Sequence, residues 1–182
     1  MSHNVPAVIL AAGSSERLGQ PKALVNFNGE TLIKMAVRQL KDSGCETIVI
    51  VTNSDLSFDI LSESEGATVV INPNPETGRT GSIHCGLLSL GTESGKMPKR
   101  VLIVPVDRCG WTVETVLQLL EQYSSCSPKP AGHPLLLCGK DIEAVMASLP
   151  ELPLRDIVDF STIDAPGIFL NIDTPDDLER LQ

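Results

Sequence analysis

Aromatic side chains are scarce in this chain: one Trp, one Tyr and four Phe make up 3% of its 182 residues. A core must therefore be packed from Val, Ile and Leu. Basic charge is also in deficit, with 14 Lys and Arg against 23 Asp and Glu, a formal net charge of −9. That balance argues against nucleic acids and anionic membranes as partners, because both need a basic face. It leaves a small anionic ligand open, since a local cluster of cations with a metal ion can override the global field. Five cysteines, Cys45, Cys85, Cys109, Cys126 and Cys138, form no C-x-x-C pair and leave one odd. A disulfide framework or a zinc site is not expected from them, and reduced thiols are. No long apolar run exists: residues 5–12 are too short for a signal or spanning helix, and residues 1–4 carry no basic segment. A cytoplasmic protein is the expectation. Neither an internal repeat nor a long linker is visible, so residues 1–182 read as one domain, 42% hydrophobic. Oligomeric state is not legible.

What the chain does have is alternation between two kinds of segment. Residues 7–11, 47–51, 68–71, 101–106 and 135–137 are continuous apolar runs rich in Val, Ile and Leu. Such runs predict strands covered on both faces, as in a parallel sheet. Between them, Leu32, Met35, Ala36 and Leu40 share one helical face ahead of a terminating Gly44. Val113, Val116, Leu117 and Leu120 repeat that pattern behind a Thr112 cap. Residues 80–90 and 142–149 are also predicted helical. The order implies an α/β fold, a three-layer sandwich around a mostly parallel mixed sheet. Residues 124–134 hold Pro128, Pro130, Gly132 and Pro134, which predicts a loop or tight hairpin, with the sheet near Leu135 partly antiparallel.

The first apolar run breaks into Leu10-Ala11-Ala12-Gly13-Ser14-Ser15-Glu16-Arg17-Leu18-Gly19-Gln20-Pro21-Lys22. Bare backbone N–H groups with two cations, Arg17 and Lys22, suit an anion, above all a nucleoside triphosphate. The plain alternative is a strand-to-helix turn with solvated charges. Two familiar phosphate loops do not fit. A Walker loop needs four residues between its glycines and Lys-Ser/Thr after the second, but five separate Gly13 from Gly19 and Lys22 follows Pro21. The dinucleotide fingerprint Gly-x-Gly-x-x-Gly fails at Ser14-Ser15.

Two apolar runs end in acids: residues 101–107 close on Asp107, and residues 168–173 on Asp173. A carboxylate at a strand's carboxyl end beside a triphosphate is where Mg²⁺ needs a ligand. Each acid also qualifies as a helix cap. Thr112 is available to cap the helix after Asp107, and Thr174-Pro175-Asp176-Asp177 resembles an N-cap, a first-turn proline and a capping-box acid. Both aspartates are thereby left for a cation, and Asp176 and Asp177 for the helix dipole. Asn72-Pro73 and the segment from Gly78 to Gly86 follow the third strand. Ser82 is positioned to donate to phosphate, whereas Gly81 and Gly86 equally suit close packing on the sheet. His84 reads as packing or surface. Gly132-His133-Pro134 is a bare turn or a histidine placed for a substrate phosphate.

In this order the pieces resemble the molybdenum-cofactor nucleotidyltransferase family, the MobA/MocA-like NTP transferases. The pattern L-A-A-G-x-S-x-R-x-G-x-x-K is met by Leu10, Ala11, Ala12, Gly13, Ser15, Arg17, Gly19 and Lys22. Gly132-His133-Pro134 and the Ala-Ala-Gly start lean toward the cytidylyltransferase branch. The resemblance implies a GT-A-like nucleotide-diphospho transferase fold and an Mg²⁺-dependent enzyme that joins an NTP, CTP favoured, to a phosphorylated small-molecule acceptor, releasing pyrophosphate. It further implies that Leu10, Ala11, Ala12 and Gly13 read the base, Arg17 and Lys22 hold the triphosphate, and Asn72 and Ser82 attend the nucleotide. By the same resemblance Asp107 and Asp173 bind Mg²⁺, and His133 faces an acceptor such as molybdopterin. The chain departs from the family where Asp107-Arg108-Cys109-Gly110-Trp111 lacks a proline two residues after the acid, and where Arg79 replaces a common Met. The loop before Gly132 is also short. A sugar or alcohol phosphate acceptor, or a nucleotide-binding accessory role without turnover, are the competing readings.

Overall fold

The computed structural model describes residues 4–13 and 18–181. Seven strands form one sheet in the order β5-β4-β1-β6-β8-β7-β9. They are β1 (Ala7–Ala11), β4 (Ile48–Thr52), β5 (Thr68–Ile71), β6 (Arg100–Pro105), β7 (Cys126–Lys129), β8 (Leu135–Cys138) and β9 (Ser161–Asp164). A small hairpin, β2 (Asn26–Phe27) with β3 (Glu30–Thr31), stands apart. Pairing is parallel from β5 through β6, antiparallel on both sides of β8, and parallel again between β7 and β9. The expected mostly parallel mixed sheet is therefore observed.

Two apolar clusters, one on each face, make the layers. Ala7, Ile9 and Ala11 of β1 pack toward α1 (Leu32–Asp42) and α4 (Val113–Leu120). Val8 and Leu10 face α3 (Arg79–Ser94) and α5 (Lys140–Ala147). This is the period-2 alternation of a strand buried on both sides. A short α2 (Ser57–Glu63) lies beside β5. Helix α1 starts where the Thr31 side chain accepts the Lys34 N–H, 3.3 Å, and stops in a Schellman turn. There Gly44, at φ 85°, donates to the Lys41 carbonyl and Cys45 to that of Leu40. Thr112 caps α4 reciprocally with Thr115. Gly86 lets α3 lie directly on the sheet, because a Cβ there would run into Val8 and Val51. His84 serves the same packing: its Nε2 donates to the Val145 carbonyl of α5, 2.6 Å. All five cysteines are free thiols.

One sequence expectation holds, one needs correction, and one strand went unread. The proline-rich stretch forms the expected hairpin, with residues 126–129 as strand β7 antiparallel to β8. Pro128 has no N–H to give, so β7 meets β8 only at Cys126 and Leu136 and takes its other partners from β9. The apolar run 168–172 is not a sheet strand. It lies as a strap against the loop after β6: Trp111 bridges Gly167, Ile168 N–H donates to the Gly110 carbonyl (2.8 Å), and Ile172 N–H to that of Asp107 (2.9 Å). Strand β9, polar and largely exposed, carried no apolar signal. Among the described residues no helix is long and apolar enough to cross a membrane.

Candidate active site

Connections from β1 run to β4 on one side, while β6 lies on the other, so the order of the sheet reverses between β1 and β6. Ligands of open α/β sheets bind beyond the carboxyl ends of strands at such a point. A cleft of about 260 Å³ opens there, lined by Leu10 to Gly13, Lys22, Gly78, Arg79, Ser82 and Asp107 among others. Its floor is fixed by neighbours: the Ala11 carbonyl accepts from Thr52 Oγ1 (3.1 Å), and that of Ala12 from Asn53 Nδ2 (3.4 Å). Among the described residues a Cβ on Gly13 would meet nothing within 4 Å.

The strap brings the two acids together. Because Ile172 hydrogen-bonds the Asp107 carbonyl, the next residue, Asp173, emerges beside the Asp107 side chain. Lys22 Nζ reaches both, 3.1 Å from Asp107 Oδ2 and 2.6 Å from Asp173 Oδ1, across 85 and 151 residues of chain. Burial lowers the Lys22 pKa, but hydrogen bonds to Asp173 and Asp107 and their charges outweigh it and raise it above the ordinary value, so Lys22 is an ammonium ion. Asp173 is held in turn. Its Oδ2 accepts from Asn171 Nδ2, 2.5 Å, and its backbone N–H donates to Asp177 Oδ2, 2.9 Å. Asp177 also takes the Thr174 N–H and hydroxyl, and these bonds, backbone ones first, hold its carboxyl below the usual range. Asp177 is thus the capping-box acid that the sequence suggested, while the Thr174 hydroxyl donates to it and accepts no backbone N–H among the described residues.

The expected site residues other than Arg17 have described positions. Leu10, Ala11, Ala12, Gly13, Lys22, Ser82 and Asp107 share the cleft, and Asp173 joins them through Lys22. Arg17 falls outside the described residues. Asn72 does not line the cleft: it is buried, donates to Ser82 Oγ (3.1 Å) and accepts the Asn74 N–H (2.9 Å). It orients Ser82 instead of facing a ligand. His133 lies off the cleft lining yet near enough to Arg79, Arg108 and Asp107 to feel their charges. Burial, reinforced by both arginines and opposed by Asp107, pushes its pKa down to about 4. Thr52, Asn53, Leu56 and Arg79 were not anticipated as parts of the cleft.

Two carboxylates converging on one cationic point at the cleft suit a hard divalent ion such as Mg²⁺. Among the described residues no group of three or more His, Cys, Asp or Glu could hold a metal. A cation here would thus complete its shell from phosphate oxygens and water, the habit of Mg²⁺.

The family model described as the MobA-like NTP transferase domain matches residues 7–164. The chain belongs to that family. As a MobA-like NTP transferase it is an enzyme of the nucleotidyltransferase class. Molybdenum cofactor guanylyltransferase of Rhizobium rhizogenes is 26% identical over 199 residues, covering 96% of this chain and 89% of that protein. Nicotine blue oxidoreductase of Paenarthrobacter nicotinovorans is 31% identical over 148 residues, 73% of this chain and 70% of its own length. Among solved structures, Rv0371c of Mycobacterium tuberculosis H37Rv superposes with a TM-score of 0.77 at 18% identity, covering 100% of this chain and 98% of that one. Its complex with manganese gives 0.72 at 16%, covering 98% and 97%. The match confirms the expected transferase fold for this MobA-like chain. The molybdenum-cofactor relative transfers a guanylyl group by its name, whereas the sequence leaned toward cytidylyl.

The depressed His133 has a consequence for stability. Between the ordinary His value near 6.5 and about 4, the unfolded chain binds a proton that the folded protein refuses. Stability therefore falls as pH drops through that window and stops falling on this account below it, by about 3 kcal/mol in total. His133→Gln, neutral throughout, is expected to lack this component. Urea unfolding of both proteins from pH 4 to 7.5 tests it, and parallel stability curves would contradict it.

Proposed function

We propose that this chain transfers a nucleotidyl group from an NTP, CTP in first place, to a phosphorylated small molecule, with molybdopterin the first acceptor to try. The observation that carries the reading is the convergence of Lys22, Asp107 and Asp173 at the mouth of the Leu10–Gly13 cleft. An acceptor phosphate oxygen attacks the α-phosphorus, a new P–O bond forms, and the bond to the pyrophosphate oxygen breaks. The chain's part is to position both phosphates and neutralise charge. The Lys22 ammonium offsets charge growing on the departing pyrophosphate, and Ser82, oriented by Asn72, donates to the phosphate chain. Asp107 and Asp173 would hold Mg²⁺, which when bound supplies further neutralisation of phosphate charge. Support for CTP comes from the Ala11-Ala12-Gly13 start and the Gly132-His133-Pro134 turn, which resemble the cytidylyltransferase branch. Support for a molybdenum-cofactor acceptor comes from the name of the guanylyltransferase relative.

The test has two stages. Unfolding temperature is measured with CTP, GTP, ATP and UTP, with and without Mg²⁺. A ligand at a hundredfold excess over its Kd contributes about 2.7 kcal/mol, so the donor gives a clear Mg²⁺-dependent rise. Pyrophosphate release is then followed with molybdopterin, a sugar phosphate and an alcohol phosphate. CTP with molybdopterin is the expected pair. A rise with GTP alone replaces the donor, and no Mg²⁺-dependent rise with any nucleotide refutes the reading.

A further inference from the structure

Beside the proposed donor cleft lies a second cluster of cations. Arg79, the first residue of α3, is exposed at the cleft's rim. Arg108 follows Asp107 in the loop after β6, and its guanidinium sits 5.0 Å from the centre of the Phe169 ring. That loop is pinned from both sides. Cys109 and Trp111 are buried, and Gly110 lies so close to the strap that a Cβ would strike the Ile168 carbonyl. Arg108 is thereby presented by a fixed backbone. Phe169 is fixed too: Arg180 Nη2 donates to its carbonyl, 3.1 Å, yet the ring is 57% exposed. The Gly132-His133 turn meets the same ring, since a Cβ on Gly132 would lie 3.6 Å from Phe169 Cδ2.

Among the described residues neither Arg79 nor Arg108 has an ion pair, although the chain has 23 acids to offer. The buried Arg108 Nε and His133 Nδ1 have no hydrogen-bond partner among the described residues. A buried polar group left unsatisfied costs about 1–3 kcal/mol, so two within reach of each other's charge mark a place where a bonded ligand belongs. Among the described residues the acid whose charge reaches Arg79 is Asp107, the chain neighbour of Arg108, and Lys22 already engages it.

We propose that Arg79 and Arg108, with His133 and the exposed Phe169 face, form an anion subsite that takes the acceptor's phosphate and lays a planar or apolar body of the acceptor on Phe169. This deepens the transfer reading and rests on it. Guanidinium groups match phosphate oxygens in paired hydrogen bonds, and a neutral His133 adds a donor without adding charge. The acceptor class is therefore a phosphomonoester of a flat molecule, not a bare sugar phosphate. The same arginines could instead serve the donor's own triphosphate, and the experiment separates the two sources.

Full-length protein is titrated with phenyl phosphate, methyl phosphate and inorganic phosphate in the absence of nucleotide, and separately with Mg²⁺ and CTP. Phenyl phosphate is expected to bind wild type at least tenfold more tightly than methyl phosphate, and Phe169→Leu to remove that preference. Arg108→Gln and Arg79→Gln are each expected to lose phenyl phosphate affinity by tenfold or more, a larger factor than any loss for CTP, with Arg108→Lys recovering part. Unfolding temperatures check that each variant is folded, and the lysine variant stands in if Arg108→Gln is not. Equal phenyl phosphate affinity in wild type and Arg108→Gln overturns the subsite. A greater loss for CTP than for phenyl phosphate assigns the arginines to the donor and also overturns it. Because no turnover is read, a failure of the transfer reading leaves this result distinguishable.

Discussion

Lys22→Ala is expected to reduce pyrophosphate release at least a hundredfold while the protein stays folded. The Lys22 ammonium group touches both Asp107 and Asp173. Removing a charge-stabilising contact of this kind costs on the order of 3–4 kcal/mol in the transition state. Its effect on folding is much smaller. Ion pairs that retain solvent contact, as these do at 18–36% exposure, contribute about 0–1 kcal/mol. The two effects thus differ by several-fold in energy and are separable in one variant. Asp107→Asn keeps the shape, removes the charge, and is expected to lose release as strongly. Circular dichroism and unfolding temperature monitor the fold, and turnover of Lys22→Ala within tenfold of wild type would sink the assignment.

Gly110→Ala is expected to be the most damaging single methyl group in the chain. A Cβ at this position strikes the Ile168 carbonyl oxygen and comes within 2.9 Å of Ile168 Cγ1 and 3.0 Å of Leu170 Cβ. A flexible side-chain end can move aside, but a backbone oxygen cannot without moving its segment. The strap would have to lift, and with it the buried Leu170 and Ile172. Overpacking of this kind costs about 1–3 kcal/mol, and each kcal/mol shifts unfolding by roughly 2–4 °C in a domain of this size. Lifting the strap also withdraws Asp173 from Asp107, so activity is expected to fall at least tenfold. Gly13→Ala is the control for stability, because among the described residues nothing lies within 4 Å of its Cβ. Equal unfolding temperatures for the two variants would show that the strap yields freely.

Legibility in the sequence followed the physics of burial. The strands at 7–11 and 135–137 were readable because both faces are covered and apolar residues run without interruption. The helix boundaries at Gly44 and Thr112 were readable because capping is local. Lys22 was singled out as a cation in the glycine-containing loop after the first apolar run, and Asp107 and Asp173 as acids closing later runs. What was hidden depends on pairing between distant segments. The strap resembles a strand in composition, with Leu170 and Ile172 buried, but its partner is a loop. Strand β9 is polar because it lies at the sheet's edge. Asn72 carried the right residue type for a ligand contact, and only the fold reveals that its amide is spent on Ser82.

Trp111 is the chain's single tryptophan, and it is buried where the strap bridges Gly167. Its indole is therefore a built-in optical reporter of whether the segment carrying Asp173 is docked. A red-shifted emission on mild denaturation, arriving before the helices melt, would register undocking of that segment separately from collapse of the sheet.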